Sequence, residues 1–205
     1  MNTLIILDPA HGADTLGKCS PDGSHREYKW SRERCDEIER IFKDSGYDVR
    51  LIIRGDYEIG LSNRVKLYNN LAKEHKDRCG GNTCVISLHN NAAGNNGSWM
   101  SARGVEIFTT PGTTKSDYLA TIIYNQLKID FPQLRFRPDI SDGDIDKEAA
   151  FTVLMGSNYQ AVLLEWLFQD NELDVILLKD RNVNNNFNNS IKLAIIDIIK
   201  WYEGH

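Results

Sequence analysis

The sequence has no long hydrophobic run and no excess of positive charge, and these absences exclude several classes of protein. Its longest apolar runs, such as residues 175–178 and 194–196, are far shorter than the roughly 20 residues of a membrane-spanning helix. The chain has 24 basic and 29 acidic residues, a net charge of −5, which argues against duplex nucleic acid and against a polybasic membrane-binding surface. We therefore expect neither nucleic acid nor membrane as a partner.

Cysteine is scarce, and residues 1–10 do not resemble an export signal. The 4 cysteines in 205 residues predict reduced thiols, because a core of this size does not need disulfides. Residues 1–10 lack both the basic start and the apolar stretch of about 7–15 residues that a secretory signal needs. We expect synthesis in the cytoplasm without a signal peptide.

The chain does have an ordinary globular composition, 41% hydrophobic and 26% charged, arranged as alternating strand and helix patterns. Short apolar runs predict strands at residues 4–7, 47–53, 85–88, 105–108 and 161–164. Apolar residues at helical spacing predict helices at residues 28–43, 61–75, 118–127 and 187–202. This alternation is typical of βαβ units. We predict an α/β fold over residues 1–205, a single three-layer domain with a mostly parallel twisted sheet and helices on both faces.

Three of the predicted strands end in side chains that can bind a metal or move a proton. His11 comes shortly after the first strand, His89 follows the strand at 85–88, and Glu165 follows the strand at 161–164. Sites in open α/β sheets form outside the carboxyl ends of the strands. Two imidazoles and one carboxylate are the usual ligands of a catalytic zinc, and a second carboxylate nearby takes a proton from the attacking water.

The same residues also have plainer explanations. His11 beside a glycine is typical of a loop histidine that hydrogen-bonds the backbone. Glu165 is harder to explain in this way, because a carboxylate within an apolar stretch is costly without a partner. Glu27, at the front of the first predicted helix, also has a plain explanation, because a glutamate in a first helical turn usually compensates the helix dipole. Periodicity leaves the third ligand open among Glu27, His25, Glu33 and Glu37.

Five blocks of the sequence occur in an order that resembles one known family. They are residues 8–12 (DPAHG), 26–30 (REYKW), 61–69 (LSNRVKLYN), 87–92 with 102–106 (SLHNNA, ARGVE), and 162–171 (VLLEWLFQDN). The chain resembles the zinc-dependent N-acetylmuramoyl-L-alanine amidases, a family of bacterial cell-wall autolysins and phage endolysins. The match extends from residue 4 to about residue 200. Five blocks in the family's order are a specific signal, whereas any one block alone would be weak evidence for the family.

The resemblance implies an activity and a set of site residues. His11, Glu27 and His89 are the implied ligands of one Zn²⁺ per chain, and Glu165 is the implied catalytic carboxylate. The implied reaction is hydrolysis of the amide bond between N-acetylmuramic acid and L-alanine of the stem peptide, with bacterial peptidoglycan as the partner. We expect a monomer without an evident wall-binding domain, a phage or prophage endolysin or a bacterial autolysin that acts on the cell wall after release or lysis.

Substrate contacts and departures from the family pattern are less well defined. Asn91 and Arg103 are candidate substrate-binding residues, although a solvated surface charge also explains an arginine. Ala10 stands where the family has glycine, so the turn before His11 must avoid positive φ or tolerate strain. The bulky residues 166–167, where the family is usually smaller, are expected to reshape the cleft beside the catalytic carboxylate.

Three other hypotheses remain beside the amidase. They are a related zinc peptidase of carboxypeptidase type, a non-catalytic peptidoglycan-binding module, and a scaffold protein. A full ligand set together with Glu165 argues against a non-catalytic binding module. A scaffold role would leave the histidines and the glutamate at the strand ends unexplained. Release of free stem peptide from purified cell wall, with and without a chelator, separates these hypotheses.

One acidic segment begins like a calcium-binding loop. Residues 142–146 read Asp-Gly-Asp-Ile-Asp, but Lys147 stands where the EF-hand loop requires glycine, and Val153 where it requires glutamate. We therefore predict a solvated loop at this position.

Overall fold

The computed structural model describes residues 2–94 and 97–204. Within them the strands are β1 (Thr3–Pro9), β2 (Asp48–Leu51), β3 (Asn82–Asn91), β4 (Val105–Thr109), β5 (Lys147–Glu148) and β6 (Gln160–Phe168). The helices are α1 (Glu27–Phe42), α2 (Leu61–Cys79), α3 (Lys115–Asp130), α4 (Thr152–Met155), α5 (Glu172–Lys179) and α6 (Arg181–Gly204).

The six strands form one sheet in the order β2-β1-β3-β6-β4-β5. Four of the neighbouring pairs are parallel, and β4 runs antiparallel to β6. The prediction of a mostly parallel sheet is therefore confirmed. The register sets Glu165 of β6 between His89 of β3 on one side and Glu106 of β4 on the other.

Helices cover both faces of the sheet because the central strands are apolar on both sides. Ile5 and Leu7 of β1 pack in a core with α1, α3 and α6, while Leu4 and Ile6 pack in a second core with α2 and α4. This arrangement confirms the predicted three-layer α/β architecture. Among the residues described, no helix combines the length and the apolar character needed to cross a membrane.

The two central strands run further than their apolar sequence indicates. His89 and Glu165 were predicted to follow their strands, but β3 continues to Asn91 and β6 to Phe168, so both residues lie inside the sheet. The pairing between the strands continues through His89 and Glu165 and then shifts register before Asn91. Backbone hydrogen bonds, which do not depend on side-chain polarity, extend the strands in this way.

The closing helix α6 contributes a stripe of buried isoleucines, and this stripe gives a test of the fold. Ile195 is fully buried in the larger core. We expect Ile195→Asp to lower the free energy of unfolding by several kcal/mol, because it places an unpaired charge in an apolar interface. The control is Leu193→Asp on the solvent side of the same helix, where the wild-type residue is 45% exposed. Equal melting temperatures for the two variants would show that α6 is peripheral.

Candidate metal centre

Two histidines and one glutamate from three different elements converge beyond the end of β1. His11 lies in the loop after β1, Glu27 is the first residue of α1, and His89 lies in β3. One ligand atom of each lies within 4.8 Å of those of the other two. Glu27 Oε1 is 3.4 Å from His11 Nε2 and 3.0 Å from His89 Nδ1. The cluster joins the three residues that the family resemblance implies as zinc ligands.

The Glu27 carboxylate is buried and held at both oxygens. The backbone N–H of Asn90 donates to Oε1 at 3.1 Å, and the Gln169 amide donates to Oε2 at 3.1 Å. Burial favours the neutral acid, but the hydrogen bonds from His11 and His89 outweigh it and hold the pKa of Glu27 well below its usual range. The carboxylate is therefore ionised and points at both imidazoles.

The alternatives to Glu27 lie outside this cluster. His25 Nε2 lies 2.8 Å from the side-chain oxygen of Asn90, and burial lowers the pKa of His25. Glu33 is about half exposed and pairs with its neighbour Arg34. Glu37 pairs with Arg40 on the surface. The described metal-binding group that contains the two histidines includes none of these three residues.

The turn before His11 accommodates Ala10, where the family has glycine, without a positive φ at that residue. His11 itself has a φ of 46°, in the left-handed region, whereas Ala10 is not among the positive-φ residues. Ala10 is instead held by its N–H, which donates to Ser31 Oγ at 2.8 Å. The strain of the turn therefore falls on the histidine, at a cost on the order of 1–3 kcal/mol that the surrounding contacts must offset.

A buried arginine holds the turn that carries His11. The Arg64 guanidinium, only 2% exposed, donates to Asp8 Oδ1 at 2.8 Å and to Glu58 Oε2 at 2.8 Å. It also donates to the carbonyl oxygen of Pro9 and, at 2.9 Å, to that of His11. The same side chain thus pairs with two carboxylates and fixes the main chain on both sides of Ala10.

A serine connects this network to the second histidine. Ser87 Oγ donates to Asp8 Oδ2 at 2.8 Å and lies 3.1 Å from His89 Nε2. Because Nε2 faces Ser87, the other ring nitrogen, Nδ1, is the one that faces Glu27. The partner on the far nitrogen fixes the orientation of the imidazole. Sequence reasoning missed Ser87, although it stands two residues before His89 in the same block.

Glu165 lies at a cavity of about 310 Å³ whose lining also includes His11, His89, Arg64 and Lys18. Its Oε2 atom is buried and has no hydrogen-bond partner among the described residues. Burial raises the pKa of Glu165 to about 7, with the negative charge of the neighbouring Glu27 acting in the same direction. A carboxyl group in this state can both take up and release a proton at neutral pH.

The two candidate substrate-binding residues lie outside the described lining of this cavity. The Asn91 amide donates to Glu106 Oε2 at 2.7 Å, and Arg103 Nε donates to the buried Asp174 at 3.1 Å. Their contact with substrate stays a prediction.

The bulky pair after Glu165 does not reshape the cleft as expected. Trp166 and Leu167 are both fully buried, and the Trp166 ring packs against Phe131 and Phe187 in the core. Leu167 has a φ of 63°, in the left-handed region, at the point where β6 approaches its end. The extra volume therefore fills the core rather than the cavity.

A comparison with known proteins decides the family. Residues 5–197 match the family model described as N-acetylmuramoyl-L-alanine amidase. The chain belongs to this family. The match confirms the resemblance drawn from the five sequence blocks and shows that the protein is an amidase. No curated protein matches the chain at a significant level.

Solved amidase structures share the fold of this amidase. The catalytic domain of CwlV from Bacillus (Paenibacillus) polymyxa var. colistinus is 21% identical, with a TM-score of 0.76 over 97% of this chain and 98% of that one. An amidase from Clostridium difficile 630 is 20% identical, with a TM-score of 0.78 over 98% of each chain. The catalytic domain of the CD27L endolysin, which targets Clostridia difficile, is 17% identical, with a TM-score of 0.62 over 94% of this chain and 96% of that one.

The buried arginine gives a test of how the centre is supported. We expect Arg64→Met to lower the free energy of unfolding by about 3–5 kcal/mol, because it leaves Asp8 buried without its counter-ion. The control is Arg54→Met, since Arg54 pairs with Glu39 on the surface and its loss should cost no more than about 1 kcal/mol. Urea unfolding curves measure both. If the two variants lose equal stability, Asp8 does not depend on this ion pair.

Proposed function

We propose that this amidase binds one Zn²⁺ per chain through His11, Glu27 and His89. The observation that carries the proposal is the convergence of two imidazoles on one buried, ionised carboxylate. Imidazole nitrogen and carboxylate oxygen are both preferred zinc ligands, and three protein ligands leave a position open for chemistry. His11 and His89 are 20% and 14% exposed, so the cluster can be reached from the cavity.

We propose that the reaction is hydrolysis of the amide bond between N-acetylmuramic acid and the L-alanine of the stem peptide in bacterial peptidoglycan. When bound, zinc activates a water molecule and polarises the carbonyl that is attacked. Glu165 accepts the proton of the attacking water and then donates it to the leaving amine. The position of Glu165 in the cavity lining with His11 and His89, and its unpartnered Oε2, support both transfers.

The same proposal extends to the domain organisation, the substrate contacts and the biological role of the protein. The family match over residues 5–197 supports a single catalytic domain, and we propose that it acts as a monomer. Arg103 is one third exposed and donates to Asp174 through Nε, so its terminal N–H groups can contact a stem-peptide carboxylate. Asn91 is the second proposed substrate contact. The structures that share the fold include bacterial amidases and an endolysin domain, which supports a role as an autolysin or an endolysin on the cell wall.

Metal analysis tests the ligands. We expect one zinc per chain in the wild type, and loss of zinc in His11→Ala and in His89→Ala, because each removes one of three ligands. His25→Gln is the matched control, since His25 is a buried histidine close in sequence to Glu27 but outside the cluster. Full zinc occupancy in both alanine variants would overturn the assignment. Zinc retained in Glu27→Ala and lost in His25→Gln would make His25 the third ligand.

Glu165→Gln separates the proton carrier from the metal ligands. The variant keeps the shape of the side chain and removes its basicity, so zinc content and sedimentation with intact cell wall should match the wild type. Release of stem peptide should fall by about 10²–10⁴-fold, the usual effect of losing general acid–base assistance. The control is Glu74→Gln, an exposed glutamate on α2.

Two outcomes contradict the role of Glu165. Cleavage within a few-fold of the wild type would remove Glu165 from the mechanism, and loss of zinc would make it a fourth ligand. Mass spectrometry of the products distinguishes the peptidase alternative. A carboxypeptidase releases a terminal amino acid and leaves the stem peptide on the glycan, whereas an amidase releases the stem peptide whole.

A further inference from the structure

A second group of carboxylates lies on other elements of the fold. Asp117 stands near the start of α3, and Asp144 and Asp146 lie in the loop before β5. Each has a carboxylate oxygen within 4.8 Å of those of the other two. Asp146 is only 1% exposed, so the prediction of a solvated loop at residues 142–146 is wrong at this residue.

Within the part of the chain that the structure describes, no basic side chain neutralises this cluster. Among the ion pairs of residues 2–94 and 97–204, none involves Asp117, Asp144 or Asp146. The nearest cation in sequence, Lys147, instead donates from Nζ to Glu106 Oε1 at 2.9 Å. Three acidic groups thus meet in a partly buried position without a counter-ion, which is a costly arrangement.

Two oxygens of the cluster are left without partners. Thr109 Oγ1 donates to Asp146 Oδ2 at 2.5 Å, but Asp146 Oδ1 and Asp144 Oδ1 are buried and have no hydrogen-bond partner among the described residues. Burial raises the pKa of Asp146 to about 7, and the charges of Asp144 and Asp117 act in the same direction. The cluster therefore offers two buried carboxylate oxygens that a ligand can bind.

Asp117 is already held in place by its neighbours. It is part of the capping box of α3, in which Thr114 N–H donates to Oδ2 at 2.6 Å and Thr114 Oγ1 donates to Oδ1 at 2.8 Å. Thr109 Oγ1 also lies 3.2 Å from Asp117 Oδ1. The helix start thus supplies one carboxylate held in a fixed position, and the loop brings the other two to it.

We propose that Asp117, Asp144 and Asp146 form a Ca²⁺ site that is separate from the zinc centre. The ligands are all oxygen atoms, which selects a hard divalent cation. Oxygens on opposite sides of Ca²⁺ are roughly 4.6–5.2 Å apart, and Ca²⁺ accepts irregular geometry, whereas Mg²⁺ requires a near-ideal octahedron at shorter distances. A site with two ligands on one loop suits the more tolerant ion.

The position of this site gives it a structural role. A bound Ca²⁺ fastens the loop to the end of β4, through Thr109, and to the start of α3. The loop leads directly into Lys147, whose ammonium holds Glu106, the β4 neighbour of Glu165. The cation therefore stabilises the wall of the sheet next to the catalytic carboxylate without touching the reaction.

Calorimetric titration of the full chain with Ca²⁺ tests the site, first metal-free and then with one equivalent of Zn²⁺. We expect one Ca²⁺ per chain in both states. The melting temperature should rise by about 5–10 °C when the Ca²⁺ concentration is about 100 times Kd. Asp146→Asn should lose both effects. Asp142→Asn should keep them, because Asp142 is exposed on the same loop and lies outside the cluster.

Several results would overturn the proposal. These are the absence of binding by the wild type at about 10 mM Ca²⁺, well above the range of weak protein sites, and equal Ca²⁺ binding by Asp146→Asn. If His11→Ala loses the Ca²⁺, the ion binds at the zinc centre instead, and tighter binding of Mg²⁺ would exclude calcium as the occupant. Should Asp146→Asn fail to fold, Asp144→Asn at the less buried ligand position gives the same comparison.

Discussion

The end of the sheet that carries the proposed zinc site depends on one buried cation, the guanidinium of Arg64. Arg64 comes from α2, on one face of the sheet, and its guanidinium reaches the main chain that leaves β1. Burial of an ion pair is favourable only when the remaining donors are also satisfied, and Arg64 meets this condition with two carboxylates and two carbonyl oxygens. Removing it would release the strained backbone at His11. The position of the proposed zinc therefore depends on a residue that does not bind it.

Two glutamates in this centre have opposite electrostatic environments. Glu27 is buried among donors that favour its charge, whereas the buried Oε2 of Glu165 lacks a donor among the described residues and feels the charge of Glu27. The pKa of one carboxyl is lowered and that of the other is raised, which agrees with the different roles proposed for them. The sheet register brings the two carboxyls to the same imidazole, because it places Glu165 beside His89, whose Nδ1 faces Glu27.

Apolar runs, which are local signals, predicted the sheet and the main helices, and the ordered motifs pointed to the three residues that the fold brings together in the candidate metal centre. It did not predict that the strands extend through His89 and Glu165, since backbone pairing continues where the side chains become polar. The two-residue β5 and the four-residue α4 are too short to show periodicity. The burial of Asp146 depends on contact with a helix start that is distant in sequence. No local pattern encodes such contacts.

The shortness of the outer strands has a consequence for how molecules of this protein meet one another. The sheet ends in β2, with four residues, and in β5, with two. Both carry charged side chains, and on β2 Arg50 pairs with Asp48 along the edge. A long, flat edge offers unpaired N–H and C=O groups to another chain, whereas a short charged one gives little on which a foreign strand can be added. The fold thereby resists edge-to-edge aggregation at concentrations where a longer outer strand would promote it.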